Sequence, residues 1–204
     1  MAKQESGFKV IAVLVVIAMF SAALLAYVNK VTKGPIEENK KAEMKRAITI
    51  VLKGINTEKV PEVPETVTAS DYDENKTLLD SATVKYFKAA DDSGKVMGLA
   101  FVVKGPNGFS GDFDIMVGVD AATGKIIDTY VLQHKETPGL GDKMAFDPFK
   151  GYFPGRTLQD TKWKVKKDGG DIDALTAATI TSRAFTQGVK RALLAYSSLM
   201  EETE

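Results

Sequence analysis

Residues 10–28 run for roughly nineteen positions without a charge, and Ser21 is their only plainly polar member. As a helix rising about 1.5 Å per residue, the run spans about 28 Å, close to the hydrocarbon thickness of a bilayer. Eleven of its residues are Val, Ile, Leu or Phe. Each contributes about −0.3 to −0.6 kcal/mol on the insertion scale, which sums to several kcal/mol in favour of the membrane. A cleaved leader is the rival reading, but its apolar core usually covers about 7–15 residues. Ser21-Ala22-Ala23 offers a small-x-small cleavage site, yet residues 24–28 continue apolar beyond it. We therefore expect an uncleaved membrane helix after a short tail, residues 1–9.

Charge and residue chemistry narrow what the rest can do. Lys+Arg and Asp+Glu both number 27, so the formal charge is zero and the electrostatic footprint of a nucleic-acid binder is missing. The sequence has no cysteine, which excludes disulfides, a thiolate nucleophile and an iron–sulfur cluster held by this chain's own thiolates. The single histidine, His134, cannot build a multi-histidine metal site. Any redox centre carried here is therefore organic, or lent by a partner. The 204 residues, 44% hydrophobic, suffice for one globular domain plus an accessory segment.

Beyond the apolar run, Gly34-Pro35 reads as a helix start, and Met44, Ala47, Ile48 and Val51 form a helical stripe that stops at Gly54. Lys40, Lys41, Lys45 and Arg46 belong to a solvated face or to a lipid surface. Pro61, Pro64 and the acidic stretch from Asp71 mark an irregular connector, so residues 29–82 read as a juxtamembrane helix and linker. The period then changes to two. Residues 84–88, 96–103, 113–119 and 126–132 read as strands, with Phe113, Ile115, Val117 and Val119 alternating against Asp112, Asp114 and Met116. Asp92-Ser-Gly94 and Asp120-Ala-Ala-Thr-Gly124 are hairpin turns. We read residues 161–165 as a further strand, with Trp163 as core before cofactor stacking.

Near the C-terminus, Phe185, Val189, Ala192, Leu193, Tyr196 and Leu199 recur on one face of a helix, with Lys190 and Arg191 on the other. The class is thus α+β, a largely antiparallel sheet covered by helices over residues 83–204, preceded by a single N-terminal transmembrane helix. No Gly-x-Gly-x-x-Gly fingerprint or Walker motif is present.

Two short stretches carry the functional signal. The first, Asp173-Ala-Leu-Thr176-Ala177-Ala178-Thr179-Ile-Thr181-Ser182, crowds hydroxyls ahead of the final helix, where Ser or Thr caps a helix and free N–H groups favour a phosphate. The second, His134-Lys-Glu136-Thr137-Pro138-Gly139-Leu140-Gly141, predicts by itself only a tight turn with glycine at positive φ. Read as pure structure, these are a Thr-rich helix start and a turn.

Asp-x-x-Thr-Ala-Ala-Thr-x-Thr also resembles the flavin-attachment motif of the FMN-binding subunits in the Rnf and sodium-pumping NADH:quinone oxidoreductase complexes. His-x-Glu-Thr-Pro-Gly-Leu-Gly resembles the loop that lies against the flavin in the same family. The resemblance implies FMN joined by a phosphoester to Thr179, with Thr176, Ala177, Ala178, Thr181, Glu136, Thr137, Gly139, Leu140 and Gly141 around the cofactor and Asp173 within the attachment motif. Alanine stands at 177 where the family usually has glycine, so a loop that needs positive φ there is strained. His134 is read as a structural hydrogen-bonding group or a proton relay to reduced flavin.

The resemblance further implies a flavin transferase that installs FMN from FAD, other membrane and iron–sulfur or flavin subunits as partners, and electron flow from ferredoxin toward NAD. The shorter chain favours the G-type subunit of an Rnf complex over the C-type subunit of the quinone reductase. Lys3 and Lys9 precede the span, whereas Lys30, Lys33, Lys40, Lys41, Lys45 and Arg46 follow it, which taken literally keeps the domain cytoplasmic. The resemblance implies the opposite, a flavin domain on the extracytoplasmic side of the cytoplasmic membrane, and we adopt that expectation because the rule weakens for large translocated domains. A flavin-free membrane-tethered binding or assembly module and a hydrolase or transferase using Thr179 transiently are the remaining readings; no base adjacent in sequence supports the latter.

Overall fold

The computed structural model describes residues 5–72 and 78–201. The first four residues of the expected tail and Asp73 and Glu74 of the expected connector lie outside them. The chain divides into two compact units, residues 1–43 and 44–204. Helix α1 (Glu5–Val51) starts inside the expected tail and continues through Pro35.

In the first unit, residues 7–42 are all exposed. Ile11, Leu14, Ile17, Phe20 and Leu25 each present more than half of their surface with no protein against them. A helix apolar all round and unburied by its own chain calls for lipid. Its backbone polar groups are satisfied within the helix, as a hydrocarbon solvent demands. The Gly34-Pro35 pair, expected to start a second helix, lies inside α1 instead. Proline removes one N–H from the ladder. The flanking Lys, Glu and Ala residues are strong helix formers, and Lys33 pairs with Glu37 one turn on at 4.0 Å, so the helix persists.

The second unit is a five-stranded antiparallel meander in the order β1 (Glu65–Tyr72), β2 (Leu78–Ala90), β3 (Val96–Gly105), β4 (Phe113–Asp120) and β5 (Ile126–Gln133). The last four strands cover the stretches where the alternation placed them, although β2 begins earlier, at Leu78 within the expected connector, and Gly94 and Gly124 take positive φ in their turns. Strand β1 corrects the expected connector. Val67 and Ala69 face the core while Thr66 and Thr68 do not, so only two apolar side chains betray the strand. Residues 161–165 form no strand among the described residues; Val165 makes one isolated parallel bridge to Ile172. Trp163 is core as expected, stacked on Phe153 at 6.4 Å between centroids, and its Nε1 donates to the Thr157 carbonyl.

Both faces of the sheet are covered. Helix α2 (Thr179–Glu201) lays Phe185, Val189, Ala192 and Leu193 against Phe101, Ile115 and Val117. On the other face, Ala47, Ile48 and Val51 from the end of α1, with Leu52 just after it, pack on Phe87, Ala89, Ala100 and Met116. Met116 is therefore buried rather than solvent-facing, because β4 is sandwiched. Small residues on that face let the helix approach closely. A Cβ at Gly118 would lie 2.0 Å from the Val51 carbonyl oxygen.

The Lys190 and Arg191 side chains are likewise not a free polar face. Asp71 and Asp80 sit directly opposite each other in the β1–β2 register, a like-charge pairing that is destabilising by itself. Lys190 donates to Asp71 and Arg191 to Asp80, so α2 neutralises the pair and is clamped to the sheet edge.

Gly118→Ala is expected to lower the stability of this unit by about 1–3 kcal/mol through overpacking against Val51. The readout is a lower denaturant midpoint with an unchanged slope. An unchanged midpoint would show that α1 does not rest on β4.

Candidate functional site

Two turns of the same kind build the site. In Thr137-Pro138-Gly139-Leu140 the Leu140 N–H donates to the Thr137 carbonyl at 3.1 Å, and Gly139 takes φ 77° at the third position. In Leu175-Thr176-Ala177-Ala178 the Ala178 N–H donates to the Leu175 carbonyl at 3.1 Å, and Ala177 takes φ 61° at the same position. That conformation suits glycine and disfavours a Cβ. The strain expected at residue 177 is therefore present, and the turn keeps its closing hydrogen bond.

Ser182 holds the second turn on the helix. Its Oγ accepts from the Leu175 N–H at 2.9 Å and donates to the Ala178 carbonyl at 2.9 Å. Helix α2 begins at Thr179, and the Ser182 N–H makes the first i to i−4 bond, to Ala178. The N–H groups of residues 179–181 precede the intrahelical ladder.

Glu136 joins the turns. It is 5% exposed, its Oε2 accepts from the Thr181 hydroxyl at 2.8 Å, and its Oε1 accepts from the Ser110 N–H at 3.1 Å. A Cβ at Gly141 would meet Oε2 at 2.4 Å, which explains glycine there by close approach. Three segments far apart in sequence thus converge: the β3–β4 loop, the loop after β5 and the start of α2.

Between them lies a pocket of about 290 Å³ lined by Phe109, Glu136, Thr137, Leu140, Gly141 and residues 177–181. This is near the lower edge of the usual ligand range, roughly 300–1,000 Å³, so the pocket seats part of a nucleotide-sized molecule and leaves the rest at the surface. Phe109, Leu140 and Ile180 supply apolar surface and are 68%, 41% and 47% exposed. Thr179 is half-buried, and its Oγ1 accepts a hydrogen bond from Lys167 Nζ at 3.2 Å. The combination of apolar walls, a hydroxyl and a nearby cation fits a flavin ring with a phosphate tail.

Of the residues expected at the site, Thr176, Gly139 and Asp173 stand outside the lining, the first two exposed on the turns. Asp173 is held by Lys166 at 2.7 Å, which lowers its carboxyl below the usual range, with the Tyr152 hydroxyl adding to the effect. His134 does not line the pocket, and its buried Nδ1 has no hydrogen-bond partner among the described residues. The structural hydrogen bond expected of it is therefore not made at that nitrogen.

Phe109, Ile180 and Lys167 were not anticipated. Phe109 had a weak signal, an aromatic residue between Gly108 and Gly111 in a strand connection. Lys167 had none, being one of four lysines between residues 162 and 167. It sits in a short 3-10 turn, Lys166–Asp168, whose Asp168 receives Arg183 Nε at 2.6 Å and Nη2 at 2.7 Å. The guanidinium lowers the Asp168 carboxyl and is itself raised by it.

Residues 108–194 match the FMN-binding domain family, and residues 4–51 match the RnfG N-terminal region. The chain is 36% identical over 193 residues to the G subunit of the ion-translocating oxidoreductase complex of Salmonella typhi, covering 91% of this chain and 90% of that protein. It is 32% identical over 186 residues to the protein of the same name from Shewanella piezotolerans, covering 88% and 84%. Among solved structures, Shewanella oneidensis NqrC superposes with a TM-score of 0.57 at 19% identity, over 81% of this chain and 98% of that one. The C subunit of the Na(+)-translocating NADH-quinone reductase from Parabacteroides distasonis gives 0.51 at 17% identity, over 81% and 95%. At such identities these structures establish a shared fold alone. With its FMN-binding domain, its lipid-demanding N-terminal helix and relatives matched over nearly their whole length, the chain belongs to the family of G subunits of ion-translocating oxidoreductase complexes of the Rnf type.

Proposed function

We propose that Thr179 holds FMN through a phosphoester and that the chain relays electrons through it within an Rnf-type complex, from reduced ferredoxin toward NAD. The observation that carries this reading is the Thr179 hydroxyl. It stands half-buried on the rim of a pocket lined jointly by both motifs, with Lys167 donating to its oxygen. When bound, FMN supplies reversible one- and two-electron redox chemistry. The chain's own residues then have three tasks. Thr179 tethers the phosphate, and the free N–H groups at the start of α2 face negative charge favourably. Phe109, Leu140 and Ile180 offer apolar contact to a flat ring. Glu136 keeps the two turns in register through Thr181 and Ser110.

A threonine hydroxyl is a weak nucleophile, and its neighbour Lys167 only donates in this contact. A separate flavin transferase acting on FAD is therefore the source of the ester, and no residue of this chain is required as an acid or base for substrate turnover. The other membrane, iron–sulfur and flavin subunits of the complex are the electron partners, and lipid surrounds the apolar run of α1, residues 10–28. We place the flavin domain on the extracytoplasmic side of the cytoplasmic membrane. A compartment-specific reporter fused after the last residue is expected to be active only outside the cytoplasm, and cytoplasmic activity would overturn this placement.

The NqrC-like fold is compatible with a second reading, membership of a sodium-translocating NADH:quinone reductase, but the match to G subunits over nearly their whole length argues against it. Ala177 favours a third, a flavin-free tethering module, because its positive φ is strained. The intact closing bond of that turn argues for attachment despite the strain.

The chain made with its transferase is expected to give a fluorescent band on a denaturing gel that Thr179→Ala abolishes. Retention of the band in that variant would reject Thr179 as the attachment point. Ala177→Gly is expected to raise stability by about 1 kcal/mol by relieving the left-handed alanine, and to leave attachment intact or faster. A fall in thermal midpoint would contradict the strained turn.

A further inference from the structure

We infer that Lys167 is the positioning cation for flavin attachment, orienting the Thr179 hydroxyl beforehand and pairing with the phosphodiester afterwards. This rests on the reading of Thr179 given above. The geometry is specific to the turn that carries it. Asp168 is bolted to α2 by two hydrogen bonds from Arg183, and Lys166 is paired to Asp173 of the attachment motif at 2.7 Å. Both neighbouring carboxylates are thereby engaged with other cations. Lys167 stands between these two fastenings, and its Nζ reaches the Thr179 Oγ1 at 3.2 Å, a neutral oxygen rather than a carboxylate. The backbone keeps the turn shut: the Asp168 N–H donates to Val165 and the Gly169 N–H to Lys166.

An ammonium group has three donors and no acceptor, so the Thr179 O–H must point away from Lys167. That leaves the hydroxyl proton accessible to an external base and stabilises negative charge as it develops on Oγ1. In the transfer, the bond from Oγ1 to the FMN-side phosphorus of FAD forms and the pyrophosphate bond breaks. AMP leaves, and the hydroxyl proton goes to a base of the transferase. The product is a phosphodiester with one negative charge beside the same ammonium, where an ion-paired hydrogen bond replaces one from the ammonium to a neutral oxygen.

The test uses the full chain in detergent with purified transferase and FAD, following attachment by intact mass. Wild type is expected to gain the mass of FMN less water. Lys167→Gln is expected to react about tenfold more slowly, less than the roughly hundred- to thousandfold cost of deleting an oxyanion-hole donor, because the glutamine amide keeps a neutral donor there. Lys167→Arg should recover most of the rate. Lys85→Gln, an exposed lysine on β2, should match wild type. Raising ionic strength should shrink the gap between wild type and Lys167→Gln, which loss of packing would not do. The 31P resonance of the attached ester should also differ between those two proteins. Equal rates and resonances in wild type and Lys167→Gln, or failure of arginine to rescue, would overturn the role of Lys167 while leaving Thr179 standing. Absence of any mass gain in wild type would overturn both.

Discussion

The Glu136 carboxylate lies 5% exposed and accepts from the Thr181 hydroxyl on one oxygen and the Ser110 N–H on the other. An ionisable group taken out of water is costly unless its lone pairs are met, and both oxygens here have donors. Those donors come from two other segments, so satisfying one side chain fixes three loops against each other. The pocket is the space left between them. Gly108 and Gly141 follow from the same constraint, since a Cβ at either would press on the carboxylate at 2.7 Å or 2.4 Å.

The sheet supplies the rigidity this arrangement needs. Strand β4 is buried on both faces, by α2 on one side and by the end of α1 on the other. Helix α2 is held along its length by Phe185, Val189 and Leu193 and, at the sheet edge, by Lys190 and Arg191 on the opposed Asp71 and Asp80. Its first turn therefore projects Thr179 and Thr181 from a fixed base. Sites on such supports hold their geometry better than sites on free loops. The hydroxyls also differ in kind: Thr181 is spent on Glu136, Thr176 is exposed on a turn, and Thr179 faces the pocket.

Strands two to five were legible because their alternation is strong and glycine turns punctuate them. The first strand was not, because Thr66 and Thr68 on its outer face and acidic residues at its end imitate a linker. Pro35 misled in the opposite sense, since a proline in an otherwise strong helix-forming context interrupts one rung without ending the helix. Trp163 was correctly placed in the core but on irregular chain, where burial comes from the aromatic cluster of Phe149, Phe153 and Phe185 rather than from a period. At the site, local motifs disclosed both turns and the positive φ at residue 177. Lys167 and Phe109 stayed hidden because the first reaches Thr179, and the second the pocket, only through tertiary contacts.

Among the three threonine hydroxyls of this stretch, that of Thr179 is the expected carrier of the cofactor. Tandem mass spectrometry of the peptide spanning residues 171–183, taken from the native membrane-extracted chain, addresses that choice most directly. The expected result is the added mass of FMN less water, localised by fragmentation to Thr179. A bare peptide, or the same mass on Thr176 or Thr181, would contradict it.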